Sequence, residues 1–503
     1  MSPSAWLLIH DVAAWVARLV MLGVVLHRRL PATTALAWLA VVFFQPWVGI
    51  VLYAILGAPR LGRRRVKLRR HIIRELEHQR RHWGEASPPA SSFLSSPSKE
   101  PDPGLDAVRL QAQRVGGLAV RGGHEVRIVA NYEAFNAGLI ADIDAAQRHV
   151  HLLYYIFEPD DTGRRIAQAL IRAAGRGVRV RLLADDVGSR ALFMEDELVA
   201  RLQDAGVEVR PALPVSPWRR GLARIDLRNH RKLAVIDGQI AWTGSQNIVD
   251  GGLSTRRGGA WHDLSARFRG PTVSEMQLVF AEDWVCESDA PDQGVDEGAD
   301  APSTGPAEPA DDWFPAVPPA GEVEVQVVPT GPSHAADAFP RVLLAAIQHA
   351  RSRVLITTPY FVPDEPTLTA LEMAAERGVA VDLCLPLRSD HALVDFAAHA
   401  SFEGLLASGV RVHRYTQGVL HSKVMTVDDR FALLGSSNID IRSFYINLEL
   451  NVLLYGRGVT QELREVQARY LRDAQPLTLD AWRARSGWSR LAEGAASLLS
   501  PLL

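Results

Sequence analysis

Only two of the 503 residues are cysteine, Cys286 and Cys384, and neither sits in a Cys-x-x-Cys or Cys/His spacing. Neither a disulfide framework nor a structural zinc site is supported, and two free thiols in a reducing compartment are expected. Excess charge is lacking too: 55 basic residues face 57 acidic ones, a net charge of −2. That balance predicts no particular partner. No stripe of basic residues interleaved with aromatics is present, which argues against nucleic acid. Nothing in the sequence requires a metal or an organic cofactor. The 47% apolar content is ordinary, and the length allows two or more domains with complete cores.

What the chain does have is a pair of long apolar runs. Residues 6–26, WLLIHDVAAWVARLVMLGVVL, and 36–56, LAWLAVVFFQPWVGIVLYAIL, each match one bilayer thickness of helix, so residues 1–60 read as a two-helix transmembrane hairpin. The second run is uncharged and the better span, with Pro46 tolerable in a membrane helix and Trp38, Trp47 and Tyr53 available for packing or the interface. The first holds Asp11 and Arg18, which are costly in hydrocarbon and imply an interfacial end, a pairing with a neighbour, or a flatter helix. No basic segment precedes it and a second run follows, so a cleaved signal peptide is not expected. Ten basic residues between Arg60 and Arg81 follow the second run, against Arg28 and Arg29 between the two. By the positive-inside rule the bulk of the protein faces the cytoplasm, with the basic stretch against anionic headgroups. Residues 61–124 read as that basic juxtamembrane segment and a linker.

Beyond this point the chain repeats itself. HVHLLYYIF at 149–157 and RVLITTPYF at 353–361 are apolar strands, each leading to a Pro-Asp turn, Pro159-Asp160 or Pro363-Asp364. A helix follows, ended by Gly177 or Gly378, then a buried strand, and a second crossover closes at Gly206 or Gly409. Strand, glycine-terminated helix, strand is the parallel crossover unit. Residues 125–286 and 321–503 are therefore two α/β lobes, separated at 287–320 by a linker rich in Pro, Gly, Ala and acid. Only the first lobe carries an insertion at 211–229, where Trp218 and Leu222 mix with Arg219, Arg220, Arg224 and Arg228 as in a headgroup-contacting lip. After residue 480, Trp482 and Trp488 alternate with Arg483, Arg485 and Arg490; this amphipathic segment suits either the membrane interface or packing on the second lobe.

Each lobe also carries one six-residue constellation at one internal spacing. His230, Lys232, Asp237, Gly244, Ser245 and Asn247 recur as His421, Lys423, Asp428, Gly435, Ser436 and Asn438. Histidine and lysine two apart project from one face of a strand. Two lysines can neutralise the non-bridging oxygens of a phosphodiester without a metal, while Asn247, Asn438 and the Gly-Ser backbone can donate hydrogen bonds to developing charge. One imidazole can attack phosphorus and the other can protonate the departing alkoxide, which requires one neutral and one protonated ring near pH 7. The near-symmetry of the copies leaves open which is which. Each ring also benefits from a carboxylate on its second nitrogen, and Asp263 and Glu449, downstream of the two motifs, are the candidates. Asp237 and Asp428 complete the catalytic set, although their turn positions favour a structural role over proton transfer.

At these residues the chain resembles the phospholipase D superfamily, whose paired His-x-Lys-x4-Asp elements meet between two similar lobes. The segments IDLRNHRKLAVIDGQIAWTGSQNIVD, TTPYFVPDEPTLTAL and IDIRSFYINLELN, with the apolar N-terminal runs, resemble the membrane-anchored bacterial cardiolipin synthases. The resemblance implies two α/β/α lobes related by pseudo-twofold symmetry, a location in the bacterial inner membrane, and phosphatidylglycerol and cardiolipin as lipid partners. It further implies phosphatidyl transfer between two phosphatidylglycerol molecules through a phosphohistidine, with His230 as nucleophile and His421 as acid and base. A phospholipase D that hydrolyses lipids or transfers phosphatidyl groups to another alcohol is the nearest rival; a membrane-associated nuclease fits less well because the basic residues cluster beside apolar runs, and a catalytically silent scaffold because no motif histidine or lysine is missing.

Overall fold

A computed structural model describes residues 3–28, 32–57, 103–116, 118–215, 226–251, 259–287, 313–332 and 337–497. The chain divides into two compact units, one containing the N-terminal helices and the other both lobes.

In the N-terminal unit, Pro3–His27 forms one helix, whose Trp6–His27 portion is long and apolar enough to cross a membrane. The expected second span is instead two short helices, Ala32–Phe44 and Pro46–Leu56, interrupted at Gln45. Pro46 has no amide hydrogen to continue the first of these helices and takes the first position of the next, where none is needed. The two pack closely, because a Cβ on Gly49 would lie 2.7 Å from the Val42 backbone. Met21, Val25, Val42 and Tyr53 form the small core, with Trp38 edge-on to Tyr53 at 5.2 Å. Arg18 donates from Nε to the Phe43 carbonyl at 3.0 Å, in the last turn before the break, where carbonyls lose their helical partners. The pairing expected of Arg18 is thus to a freed backbone oxygen.

The lobes form the two halves of one fifteen-stranded sheet. Outward from the centre, the first lobe runs Arg121–Val129, Ser265–Arg269, Ile240–Gly244, Lys232–Ile236, His149–Tyr154, Arg179–Asp185 and Glu208–Ala212. The second repeats this order as Val323–Thr330, Glu449–Tyr455, Phe431–Gly435, Val424–Val427, Arg353–Thr357, Ala380–Pro386 and Arg411–Tyr415, with Ala474–Leu477 added at the edge. The two central strands pair antiparallel. One order twice from one centre is the pseudo-twofold α/β architecture expected. All six residues of His149–Tyr154 are buried, the continuous burial of a strand covered by helices on both faces.

The crossover helices start where the Pro-Asp turns lie: Asp160 accepts from Gly163 N at 3.0 Å and Asp364 from Thr367 N at 3.1 Å, capping Asp161–Gly175 and Glu365–Glu376. The stretch read as a linker before residue 125 contains a helix, Pro103–Gly116, whose Val108 and Ala112 join the second lobe's core. Trp313, inside the acidic linker as read, is buried against His151. Apart from its ends, that linker lies outside the described residues, as do the basic stretch at 60–81 and Trp218, Arg219, Arg220, Leu222 and Arg224 of the insertion. Arg228 is described, and it is no headgroup contact: it is buried in an ion pair with Asp185 at 3.2 Å. The C-terminal segment divides between its two readings, since Trp482 is buried against Phe402 and His399 while Trp488 is 81% exposed.

Candidate active site

Each motif is delivered to the centre by pairing with the other lobe. His230 N donates to Leu448 O at 2.8 Å and Leu448 N to Arg228 O at 3.0 Å; across the pseudo-twofold, Val419–Leu420 pairs in parallel with Trp261–His262 and His421 N donates to His262 O at 2.9 Å. The residue after each docking point is a carboxylate, Glu449 or Asp263. Each therefore faces the histidine of the opposite lobe.

His421 Nδ1 lies 2.7 Å from Asp263 Oδ1. Both oxygens of Glu449 lie 3.1 Å from His230 Nδ1, beside the Ser436 carbonyl at 3.2 Å. Sequence alone placed the two acids near the histidines but did not show that they cross over. The motif serines hold the carboxylates: Ser245 Oγ donates to Asp263 at 2.6 Å, and Glu449 accepts from Ser436 Oγ and, at 3.0 Å, from Ser443 Oγ. The Gly-Ser backbone expected to donate to phosphate is already committed, because Ser245 N donates to Leu264 O at 2.8 Å and Ser436 N to Leu450 O at 3.0 Å. Asn247 Oδ1 accepts from Ile156 N at 3.2 Å, whereas the Asn438 backbone N donates to Ser443 Oγ at 3.1 Å and its side chain hydrogen-bonds Asp440.

The lysines lie deep beside the rings. Lys232 Nζ donates to His230 O at 2.6 Å and sits 5.2 Å from the Tyr155 ring centre. Lys423 Nζ lies 2.9 Å from His421 O and 3.1 Å from His421 Nε2. Burial of the charged form lowers Lys232 to about 7 and Lys423 to about 8, against the pull of Glu449 and Asp263. Burial likewise lowers His230 to about 4 and brings His421 down. For Asp263 burial acts upward, but the His421 ring, Lys423 and Ser245 outweigh it and hold the carboxyl at about 2. Glu449 is lowered in the same way by His230. His230 is thus neutral, with Nδ1–H donated to Glu449, and His421 likewise donates Nδ1–H to Asp263 while its Nε2 meets Lys423 Nζ at 3.1 Å. The aromatic surroundings differ: Tyr155 is tilted against His230 with centroids 4.6 Å apart, whereas Trp261 stacks on His421 at 4.5 Å and 26°.

Asp237 and Asp428, counted with the catalytic set, do not contribute to this centre. The Asp237 carboxylate accepts from Gln147 N, Arg148 N and His149 N, and Asp428 from Arg351 N, Ser352 N and Arg353 N. Each clamps the start of the strand beside its motif from a turn residue with positive φ, 54° and 47° respectively.

The family described as "Cardiolipin synthase, PLD-like domain" matches residues 139–284 and 343–470, one stretch in each lobe. The chain belongs to that family. It is 33% identical over 508 aligned residues to "Cardiolipin synthase A" of Erwinia tasmaniensis, covering 99% of this chain and 98% of that one, and 32% identical to the protein of the same description in Pectobacterium atrosepticum with the same coverage. Among solved structures, the phosphatidylserine synthase of Haemophilus influenzae Rd KW20 superposes with a TM-score of 0.55 at 15% identity, over 79% of this chain and all of that one, a likeness of fold. The protein is accordingly an enzyme of the phospholipase D superfamily that transfers phosphatidyl groups.

Proposed function

We propose that the enzyme joins two phosphatidylglycerol molecules into cardiolipin and glycerol through a phosphohistidine. The observation that carries this reading is the crossed pairing of His230 with Glu449 and His421 with Asp263, two imidazoles each held by a carboxylate of the opposite lobe and each flanked by its motif lysine. In the first half-reaction His230 Nε2 attacks the phosphorus, the bond from phosphorus to the glycerol oxygen breaks, and that oxygen leaves with a proton delivered through His421 Nε2, which the Lys423 ammonium contacts at 3.1 Å. In the second, the terminal hydroxyl of another phosphatidylglycerol gives its proton to His421 as its oxygen attacks phosphorus, and the bond to His230 breaks. Lys232 and Lys423 neutralise the non-bridging oxygens in both. The division of labour is supported by Lys423, which occupies the His421 lone pair, while no described residue lies on His230 Nε2.

The helix at residues 6–27 anchors the enzyme in the bacterial inner membrane, and the basic stretch at 60–81 keeps the lobes on the cytoplasmic side. The anchor supplies lipid acceptors to an intermediate that water would otherwise hydrolyse. Purified full-length protein in phosphatidylglycerol vesicles should form cardiolipin and glycerol in equal amounts, with a trapped phosphoryl label on His230. Phosphatidic acid as the sole product overturns the transfer reading in favour of hydrolysis, and label on His421 reverses the two roles.

A further inference from the structure

The second motif shares one proton between two side chains. Asp263, ionised, can only accept, so His421 Nδ1 carries a hydrogen in its 2.7 Å contact. An ammonium has no lone pair, so the 3.1 Å contact between Lys423 Nζ and His421 Nε2 holds one hydrogen, either from the ammonium to neutral imidazole or from imidazolium to neutral amine. The first motif has no such contact: Lys232 Nζ turns to the His230 carbonyl and the Tyr155 ring.

We infer that Lys423 and His421 form a proton-sharing pair in which the lysine stores the proton that the histidine delivers to the leaving group. The inference rests on the two-step reaction proposed above. Lys423 passes a proton to His421 Nε2, and Nε2 passes it to the glycerol oxygen as its bond to phosphorus breaks. When the acceptor hydroxyl attacks, its proton returns by the same route to Nζ as the bond from phosphorus to His230 breaks. No net proton is gained or lost over the cycle.

Composition supports a requirement for a cation that can give up a proton. Of 55 basic residues only Lys67, Lys99, Lys232 and Lys423 are lysine, and arginine serves elsewhere, even in the buried pair of Arg231 with Asp283 at 2.7 Å. Arginine neutralises a phosphate at least as well as lysine but does not surrender its proton. Asp263, Glu449, Asp390 and Asp440 face Lys423 and favour its charged form, with Lys232 opposing them; burial outweighs the acids and leaves the ammonium at about 8, within reach of an imidazole.

The test compares two donors in vesicles with the full-length enzyme: phosphatidylglycerol, whose leaving oxygen needs a proton, and phosphatidyl-p-nitrophenol, whose phenolate does not. Lys423→Arg should slow the first by roughly 10²–10⁴ and the second by less than about tenfold, because general acid catalysis matters only where the leaving group is poor. Lys232→Arg should slow both alike. Equal losses on both donors in Lys423→Arg reduce Lys423 to a fixed charge and overturn the inference. A second variant guards against misfit of the longer side chain. Lys423→Ala supplied with primary alkylamines should regain activity on phosphatidylglycerol in step with amine pKa, whereas equal rescue by tetramethylammonium overturns proton storage. Wild-type enzyme that yields no cardiolipin from phosphatidylglycerol would instead remove the underlying reaction.

Discussion

Asp263, in the first lobe, holds the ring of His421, 158 residues away in the second, at 2.7 Å, and Glu449 does the same for His230 in the opposite direction. The histidine–carboxylate pairs are therefore crossed, and neither lobe contains a complete one. Asp263→Asn should disable His421 and Glu449→Gln should disable His230, each lowering kcat by roughly 10²–10⁴ with KM little changed, because an amide no longer fixes the tautomer. The two are separable with phosphatidyl-p-nitrophenol. Asp263→Asn should still form phosphoenzyme from it, while Glu449→Gln should not. The opposite assignment of stalled steps would mean that each acid serves its own lobe.

The buried lysines make stability depend on pH in the alkaline range. An unfolded lysine keeps its proton up to about 10.4, whereas Lys232 and Lys423 are lowered to about 7 and about 8. Between pH 7 and 9 the unfolded chain thus binds more protons, and stability rises with pH by up to about 1.4 kcal/mol per unit for each lysine. Above pH 9 the gain is offset by Cys384, raised to about 12 by burial, which the unfolded chain ionises first. Denaturation midpoints in detergent at pH 7, 8 and 9 should show the rise, and Lys232→Met with Lys423→Met should flatten it. An unchanged slope in the double variant assigns the effect elsewhere.

The clamp at the base of each motif predicts a stability phenotype. Asp428→Ala removes a charged acceptor from three backbone amides and leaves positive φ to a residue that resists it, so a loss of about 3 kcal/mol is expected. Asp428→Asn retains one acceptor oxygen and tolerates that backbone, so it should lose roughly half as much. Urea denaturation measures both. A large activity loss in Asp428→Asn without destabilisation would instead place the carboxylate in the chemistry.

The fold was legible because its signals are local: Asp160 and Asp364 accept from amides three residues on and cap the helices they precede, and glycines follow the ends of those helices. The motif residues were legible because one chemistry is written twice at one spacing. Spacing within a strand says nothing about contacts between lobes, and so the crossing of Asp263 and Glu449 stayed hidden. The work of Ser245 and Ser436 stayed hidden for a related reason: a Gly-Ser step reads as a backbone donor to phosphate until the carboxylate held by its hydroxyl is located. The break at Gln45 stayed hidden because a proline is compatible with a membrane helix, and hydropathy does not show whether its missing hydrogen bond ends the helix.

The two histidines part company at the position two residues before each carboxylate, Trp261 in one lobe and Asn447 in the other. Trp261 lies flat on His421 with its indole Nε1 buried and unbonded, a donor that costs about 1–3 kcal/mol to leave without a partner. On the roles proposed above, the stacked indole would shield His421 as it takes the proton of a lipid hydroxyl or of water. Trp261→Asn, which copies the other lobe, should therefore raise the share of phosphatidic acid among products while leaving phosphoenzyme formation at His230 nearly intact. Trp261→Phe keeps a ring on His421 and should keep the product ratio close to wild type. The ratio of cardiolipin to phosphatidic acid, read at equal phosphoenzyme levels, decides the matter: no change in Trp261→Asn would show that shielding comes from the membrane alone.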